Sequence, residues 1–200
     1  MIRYLTKSIF VLLFAATLFV SCQDKLPLNI NLANRSYTFY NQDSAQVNFP
    51  EIIAGYVTVV GFIYTNCPDI CPMTTHNMSL TDQRLKSEQI GDVKFVSITF
   101  DPDRDYPSVL RKYGEIRDLD FNTWTFLWGD KKSTKALLNR LDVIAIPTDS
   151  SFSDEGELSY YMMHTDRISL LDKNGKLKKN YKGSRVDLEE LYKDIKYLRD

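Results

Sequence analysis

The feature that most constrains this chain is a run from Val57 to Tyr64 (VTVVGFIY) that leads straight into Thr65-Asn66-Cys67-Pro68-Asp69-Ile70-Cys71-Pro72. The run is continuously apolar and rich in β-branched residues. That is the pattern of a strand buried on both faces, not of one with a solvated side. Pro72 to Leu85 contains no further Gly or Pro and reads as a helix. Pro72 suits the first helical position, where a missing N–H costs nothing. Two cysteines therefore sit where a buried strand turns into a helix. In open α/β folds this edge of the sheet is where ligands bind. A helix N-terminus also favours the thiolate, the form that attacks disulfides and binds metals.

The rest of the chain extends this pattern. Ser36 to Phe49 alternates around Tyr37, Phe39, Val47 and Phe49, with a turn at Asn41-Gln42-Asp43-Ser44, and reads as a β-hairpin. Val93 to Phe100 is a second buried strand, Pro107 to Ile116 a helix, Trp124 to Trp128 a short strand and Lys131 to Leu141 a helix. Asp149 to Gly156 has loop composition. Strands at Leu158 to Met163, Arg167 to Asp172 and Leu177 to Tyr181 follow, the last two joined by an Asn-Gly turn at Lys173-Asn174-Gly175. Asp187 caps a closing helix to Leu198. Strands alternating with helices, then a hairpin and a last helix, predict an α/β fold. The order is thioredoxin-like with an N-terminal β-hairpin extension, and it spans residues 36–200.

The first 22 residues read as an export signal. Arg3 and Lys7 give a positive start, and Ile9 to Val20 is an apolar run. It is shorter than the about 20 residues a transmembrane helix needs. Ser21-Cys22 precedes polar Gln23-Asp24-Lys25 and resembles a bacterial lipoprotein signal, with Cys22 as the lipidated residue. An uncleaved N-terminal anchor is the alternative. Either way the domain is expected outside the cytoplasm, on the periplasmic side, held to the membrane. Residues 23–35 are polar and read as a tether. With Cys22 acylated, the remaining thiols are Cys67 and Cys71, one pair in an oxidising compartment. The formal net charge of -1 leaves no electrostatic footprint for nucleic acid.

Three residues separate Cys67 from Cys71, against two in a thioredoxin redox pair. The wider gap leaves room for an ion between the sulfurs without forbidding a disulfide. Soft thiolates select soft ions such as Cu(I). An incidental structural pair is the plainer reading of the spacing alone. Two sulfurs rarely complete a site, and the chain has two histidines. His76 lies five residues past Cys71 in the same helix, about 500° of rotation away, and reads as exposed. His164, in Tyr161-Met162-Met163-His164-Thr165, occupies the segment where thioredoxins place a cis-proline facing the redox motif. From there it could reach both thiols.

Several segments together resemble the Sco (SenC) family. They are 61–72 (GFIYTNCPDICP), 97–105 (SITFDPDRD), His164-Thr165 and 170–175 (LLDKNG). The resemblance covers about Ser36 to Leu198. It implies one copper bound by Cys67, Cys71 and His164, as Cu(I), or as Cu(II) with an added oxygen. It also implies a role in assembling the binuclear copper centre of cytochrome c oxidase, by delivering copper or by reducing that centre's cysteines. The chain departs from the family pattern at Met163, where an Asp is usual, and at Tyr106, where a Thr is usual. Asp69, Asp101 and Met163 are candidates for orienting the ligands. Asp101, Asp103 and Asp105 follow the second buried strand and are expected to shape the site, with Asp105-Tyr106-Pro107 as a helix cap. The expected function is a copper metallochaperone with a copper-centre subunit or another thiol protein as partner. A thiol–disulfide oxidoreductase using the same pair is the alternative, and a peroxidase-like role is a third.

Overall fold

The computed structural model describes residues 26–152 and 158–199. The leader, with Cys22, lies outside the described residues. Strands are numbered in chain order from β1 (Ile30–Asn31). β4 (Val57–Ile63), β5 (Val93–Thr99) and β6 (Trp124–Leu127) run parallel, while β9 (Ile168–Leu171) pairs antiparallel with β4 and β10 (Lys176–Tyr181) with β9. With β1 on the outer edge they form one six-stranded sheet, ordered β1-β10-β9-β4-β5-β6. Helices α1 (Ile70–Ser87), α2 (Pro107–Glu115), α3 (Lys131–Arg140) and α4 (Leu188–Arg199) complete the thioredoxin-like α/β architecture.

Every residue of β4 and β9 is buried, and in β5 only Lys94 reaches the surface layer. Burying a Val, Ile or Phe side chain contributes about 1.5–3 kcal/mol. The centre of the sheet is therefore its most firmly fixed part, and the cysteine loop leaves directly from its end. The N-terminal hairpin forms as expected from β2 (Tyr37–Tyr40) and β3 (Gln46–Phe49). It seats Phe39 and Phe49 in the core. Its turn residue Gln42 accepts a hydrogen bond from the Phe126 N–H at 3.0 Å, satisfying a donor on β6. Asp187 caps α4, accepting from the Glu189 and Glu190 N–H groups. Gly175 takes φ +70° in the β9–β10 turn, a left-handed conformation that glycine adopts freely.

Three expectations are corrected. The tether read over 23–35 belongs, from Leu26 onward, to the folded body. Leu26 and Leu32 are buried, Leu28 N–H donates to the Lys178 carbonyl, and β1 pairs with β10. A polar segment can join a sheet edge because backbone groups alone supply the pairing. The loop read over Asp149 to Gly156 is in part strand. β7 (Ala145–Phe152) pairs antiparallel with β8 (Leu158–His164) as a separate two-stranded sheet. Its register is irregular between Pro147 and Ser150, an interval that overlaps only the start of the expected loop. Helix α1 begins at Ile70, so Pro72 is its third residue. The first-turn N–H groups lack helical partners, so proline fits there as well.

Candidate metal centre

The site grows out of the C-terminal end of β4. After Ile63 the chain passes through Tyr64 and Thr65 to Cys67, and α1 starts three residues later. No side chain caps α1 at Asp69. The sulfur of Cys67 takes that role, accepting from the Cys71 N–H at 3.4 Å. A negative sulfur is favoured there by the helix dipole. The side chain of Cys71 hydrogen-bonds to it, burial opposes, and the His164 ring with the Cys71 and Asp69 N–H groups assist. Together they pull the Cys67 thiol down to about 3. The same hydrogen bond, with burial and the charge on Cys67, holds Cys71 far above its ordinary value. The pair thus shares one proton at neutral pH, with the negative charge on Cys67.

His164 ends β8 and faces the sulfurs. Its Nε2 lies 3.7 Å from the Cys71 sulfur. Its Nδ1 lies 3.2 Å from the Thr165 carbonyl oxygen. With Nδ1–H donating to that carbonyl, Nε2 presents its lone pair to the thiols. Burial alone would lower the imidazole pKa, but the Cys67 thiolate and the Thr165 carbonyl outweigh it and raise the value. The rings of Phe100 and Tyr64 pack on the imidazole at 4.8 and 5.9 Å between centroids. One ligand atom from each of Cys67, Cys71 and His164 lies within 4.8 Å of the others. Among the described residues this is the one His/Cys/Asp/Glu group so arranged.

The SCO1/SenC family model matches residues 28–199. The chain belongs to the SCO1/SenC family. A SCO1 protein homolog of Bacillus subtilis (strain 168) is 31% identical over 175 residues, covering 87% of this chain and 86% of that protein. The structure of BsSco, described as a member of the Sco family of cytochrome c oxidase assembly proteins with a disulfide switch, is 31% identical. Its TM-score is 0.70, with 86% of this chain and 95% of that chain covered. ScoI of Bradyrhizobium japonicum, solved with copper bound, is 26% identical with a TM-score of 0.68, covering 82% of this chain and 98% of that one.

Within this SCO1/SenC frame the other candidate residues separate. His76 is exposed, as expected, and outside the cluster. Met163 is corrected: it is 58% exposed. Successive strand residues point to opposite faces, so a strand that turns His164 inward turns Met163 outward. Asp69 acts through its N–H toward Cys67, while the residue itself is exposed. Asp101 is buried and hydrogen-bonds to Arg104 and to the Tyr160 hydroxyl. Asp105 is not the cap of α2; that position is Tyr106, without a side-chain hydrogen bond. Exposed Tyr106 packs against Trp128 in a tilted ring pair.

Asp105 instead is fully buried and accepts from the Thr65 N–H at 3.0 Å, the Thr65 hydroxyl and the Thr99 hydroxyl at 2.6 Å. It ties the cysteine loop to the end of β5. Burial raises its pKa despite these donors. Asp105→Ala strands three donors, and a buried unsatisfied group costs about 1–3 kcal/mol. The variant is expected to unfold earlier by about 3 kcal/mol or more in a urea titration. The Cys67 pKa should stay depressed, because its causes are Cys71, His164 and the N–H groups of Cys71 and Asp69, and thiolate ultraviolet absorbance reads it.

That absorbance checks the thiol pair directly. In the reduced wild-type protein one thiolate per chain should persist far below the ordinary thiol pKa of about 8.5. It should be lost only as pH falls toward about 3. Because the folded-state value is depressed, Cys67 stabilises the fold above the unfolded-state pKa. That contribution declines as pH falls through the interval down to the folded value.

Proposed function

We propose that this chain carries copper for the assembly of the binuclear copper centre of cytochrome c oxidase, holding the ion on Cys67, Cys71 and His164. The observation that carries the reading is the convergence of two sulfurs and one imidazole nitrogen within 4.8 Å. The donors fit the ion. Sulfur and imidazole form a soft set suited to Cu(I). Cys67 is already a thiolate at neutral pH. Tyr64 and Phe100 wall the imidazole with aromatic carbon. The copper-bound relative adds weight.

Loading must displace the proton on Cys71 and, below the raised pKa of His164, the imidazolium proton. Cu(I) affinity is therefore expected to rise with pH, more steeply below the His164 pKa than above it. Competition against a Cu(I) chelator across a pH series measures the slope; a flat profile contradicts the ligand set.

The asymmetry of the thiols also favours a second reading, reduction of a disulfide in the same target. Cys67 is ionised and 8% exposed, whereas Cys71 is protonated and fully buried. That is the arrangement of an attacking thiolate with a resolving partner behind it. The soluble copper-centre domain of the oxidase separates the readings. With its cysteines reduced, the loaded protein should transfer Cu(I) to it. With them oxidised, the metal-free reduced protein should convert its disulfide to thiols only if the second reading holds.

We further infer that the leader anchors the domain at the outer face of a membrane through lipid on Cys22. The support is the charge–apolar–small–Cys order of residues 1–22. Among the described residues no helix is long and apolar enough to cross a membrane. Cys22→Ala should move the protein from the membrane to the soluble fraction; an unchanged distribution contradicts lipid attachment.

A further inference from the structure

The imidazole ligand is not part of the main sheet. It sits on the two-stranded β7–β8 ribbon. Between this ribbon and α3 lies a cavity of about 500 Å³, bounded by Ala145, Ile146, Tyr160 and Met162 on one side and Lys135 and Leu138 on the other. The ribbon is therefore not packed flush on that helix. At its base, Ile144 N–H donates to the Thr165 hydroxyl at 3.0 Å and Thr165 N–H to the Ile144 carbonyl at 2.9 Å.

Further out, a second attachment is made by Tyr160. It lies four residues before His164 on β8, an even spacing that puts both on one face. The Tyr160 hydroxyl donates to Asp101 Oδ1 at 2.5 Å. Arg104 Nη1 donates to the Tyr160 carbonyl at 3.2 Å, and the guanidinium carbon stands 3.5 Å from the Tyr160 ring centroid. Arg104 Nε donates to the other oxygen of Asp101. Arg104 Nη2 is buried without a hydrogen-bond partner, so the guanidinium is held by Nε, Nη1 and the Tyr160 ring.

These contacts continue to the cysteines. Asp101 N–H donates to the Thr99 hydroxyl at 3.0 Å, that hydroxyl donates to Asp105 at 2.6 Å, and Asp105 accepts from Thr65, two residues before Cys67. One chain of hydrogen bonds thus joins the strand carrying the imidazole to the loop carrying the sulfurs.

We propose that Tyr160, clasped by Asp101 and Arg104, is a positioning residue that holds His164 at its distance from Cys67 and Cys71. The role rests on the copper-carrier reading, but its structural half is testable without metal. Tyr160→Phe keeps the ring that stacks on Arg104 and removes only the hydroxyl. Two measurements are made. In the metal-free protein, backbone hydrogen exchange across 160–164 should accelerate. In the reduced protein, Cu(I) affinity by chelator competition should fall about 10–100-fold, the range for groups that orient a ligand.

Because Tyr160 acts through His164, the same substitution in a His164→Ala background should cost nothing further. Arg104→Gln, which removes the stack, should reproduce the pattern. Equal losses in both backgrounds, or wild-type affinity with unchanged exchange, overturn the proposal. If the wild-type protein binds no copper, the carrier reading falls, and the exchange rates alone then decide whether the clasp exists.

Discussion

Cys67→Ser/Cys71→Ser is expected to abolish Cu(I) binding, with a loss far beyond the about 10–100-fold that changes around a metal's ligands produce. The reason is chemical. Serine offers a hard hydroxyl that stays protonated where Cys67 is already a thiolate. The fold should survive, because neither residue is in a disulfide and the two cysteines are a small part of a core that draws on the sheet, the hairpin and the helices. Cys71 is fully buried. A hydroxyl there keeps the His164 nitrogen as a neighbour, so the stability loss should stay within about 1–3 kcal/mol. Copper titration of the variant, with circular dichroism to confirm the fold, checks both halves. Retained tight binding would place the ion elsewhere.

His164→Ala carries the second largest effect. It removes one donor of three and leaves both sulfurs, so copper is retained more weakly, by more than about 100-fold. Two further consequences follow from the contacts of the ring. Phe100 and Tyr64 lose their aromatic neighbour, opening a space that costs about 1–3 kcal/mol, as large-to-small changes commonly do. Cys67 loses one of the groups that hold its thiolate, so its pKa should climb while remaining depressed by Cys71 and the helix N-terminus. A variant with unchanged copper affinity and an unchanged Cys67 titration would remove the histidine from the site.

The parts of this site that were legible in the sequence are those fixed by local pattern. A fully apolar strand followed by a helix places Cys67 and Cys71 at a sheet edge wherever the rest of the chain lies. His164 was legible only through the topology, since it reaches Cys71 from 93 residues away. The supports were not legible. Asp105 meets Thr65 across 40 residues and Tyr160 meets Asp101 across 59, and no periodicity encodes such hydrogen bonds. Asp-x-Pro composition predicts a helix cap at Asp105; burial beside two threonines gives its carboxylate a different task. Strand alternation was the missed signal for Met163 and Tyr160. Counted back from His164, it sends the first outward and the second inward.

The central claim is that two sulfurs and one imidazole nitrogen hold a single copper. X-ray absorption spectroscopy of the reduced protein loaded with one equivalent of Cu(I) tests it most directly. The account predicts two sulfur scatterers and one nitrogen with the outer-shell signature of an imidazole, the nitrogen disappearing in His164→Ala. A first shell of sulfur alone in the wild-type protein, or one unaltered by that substitution, would contradict it.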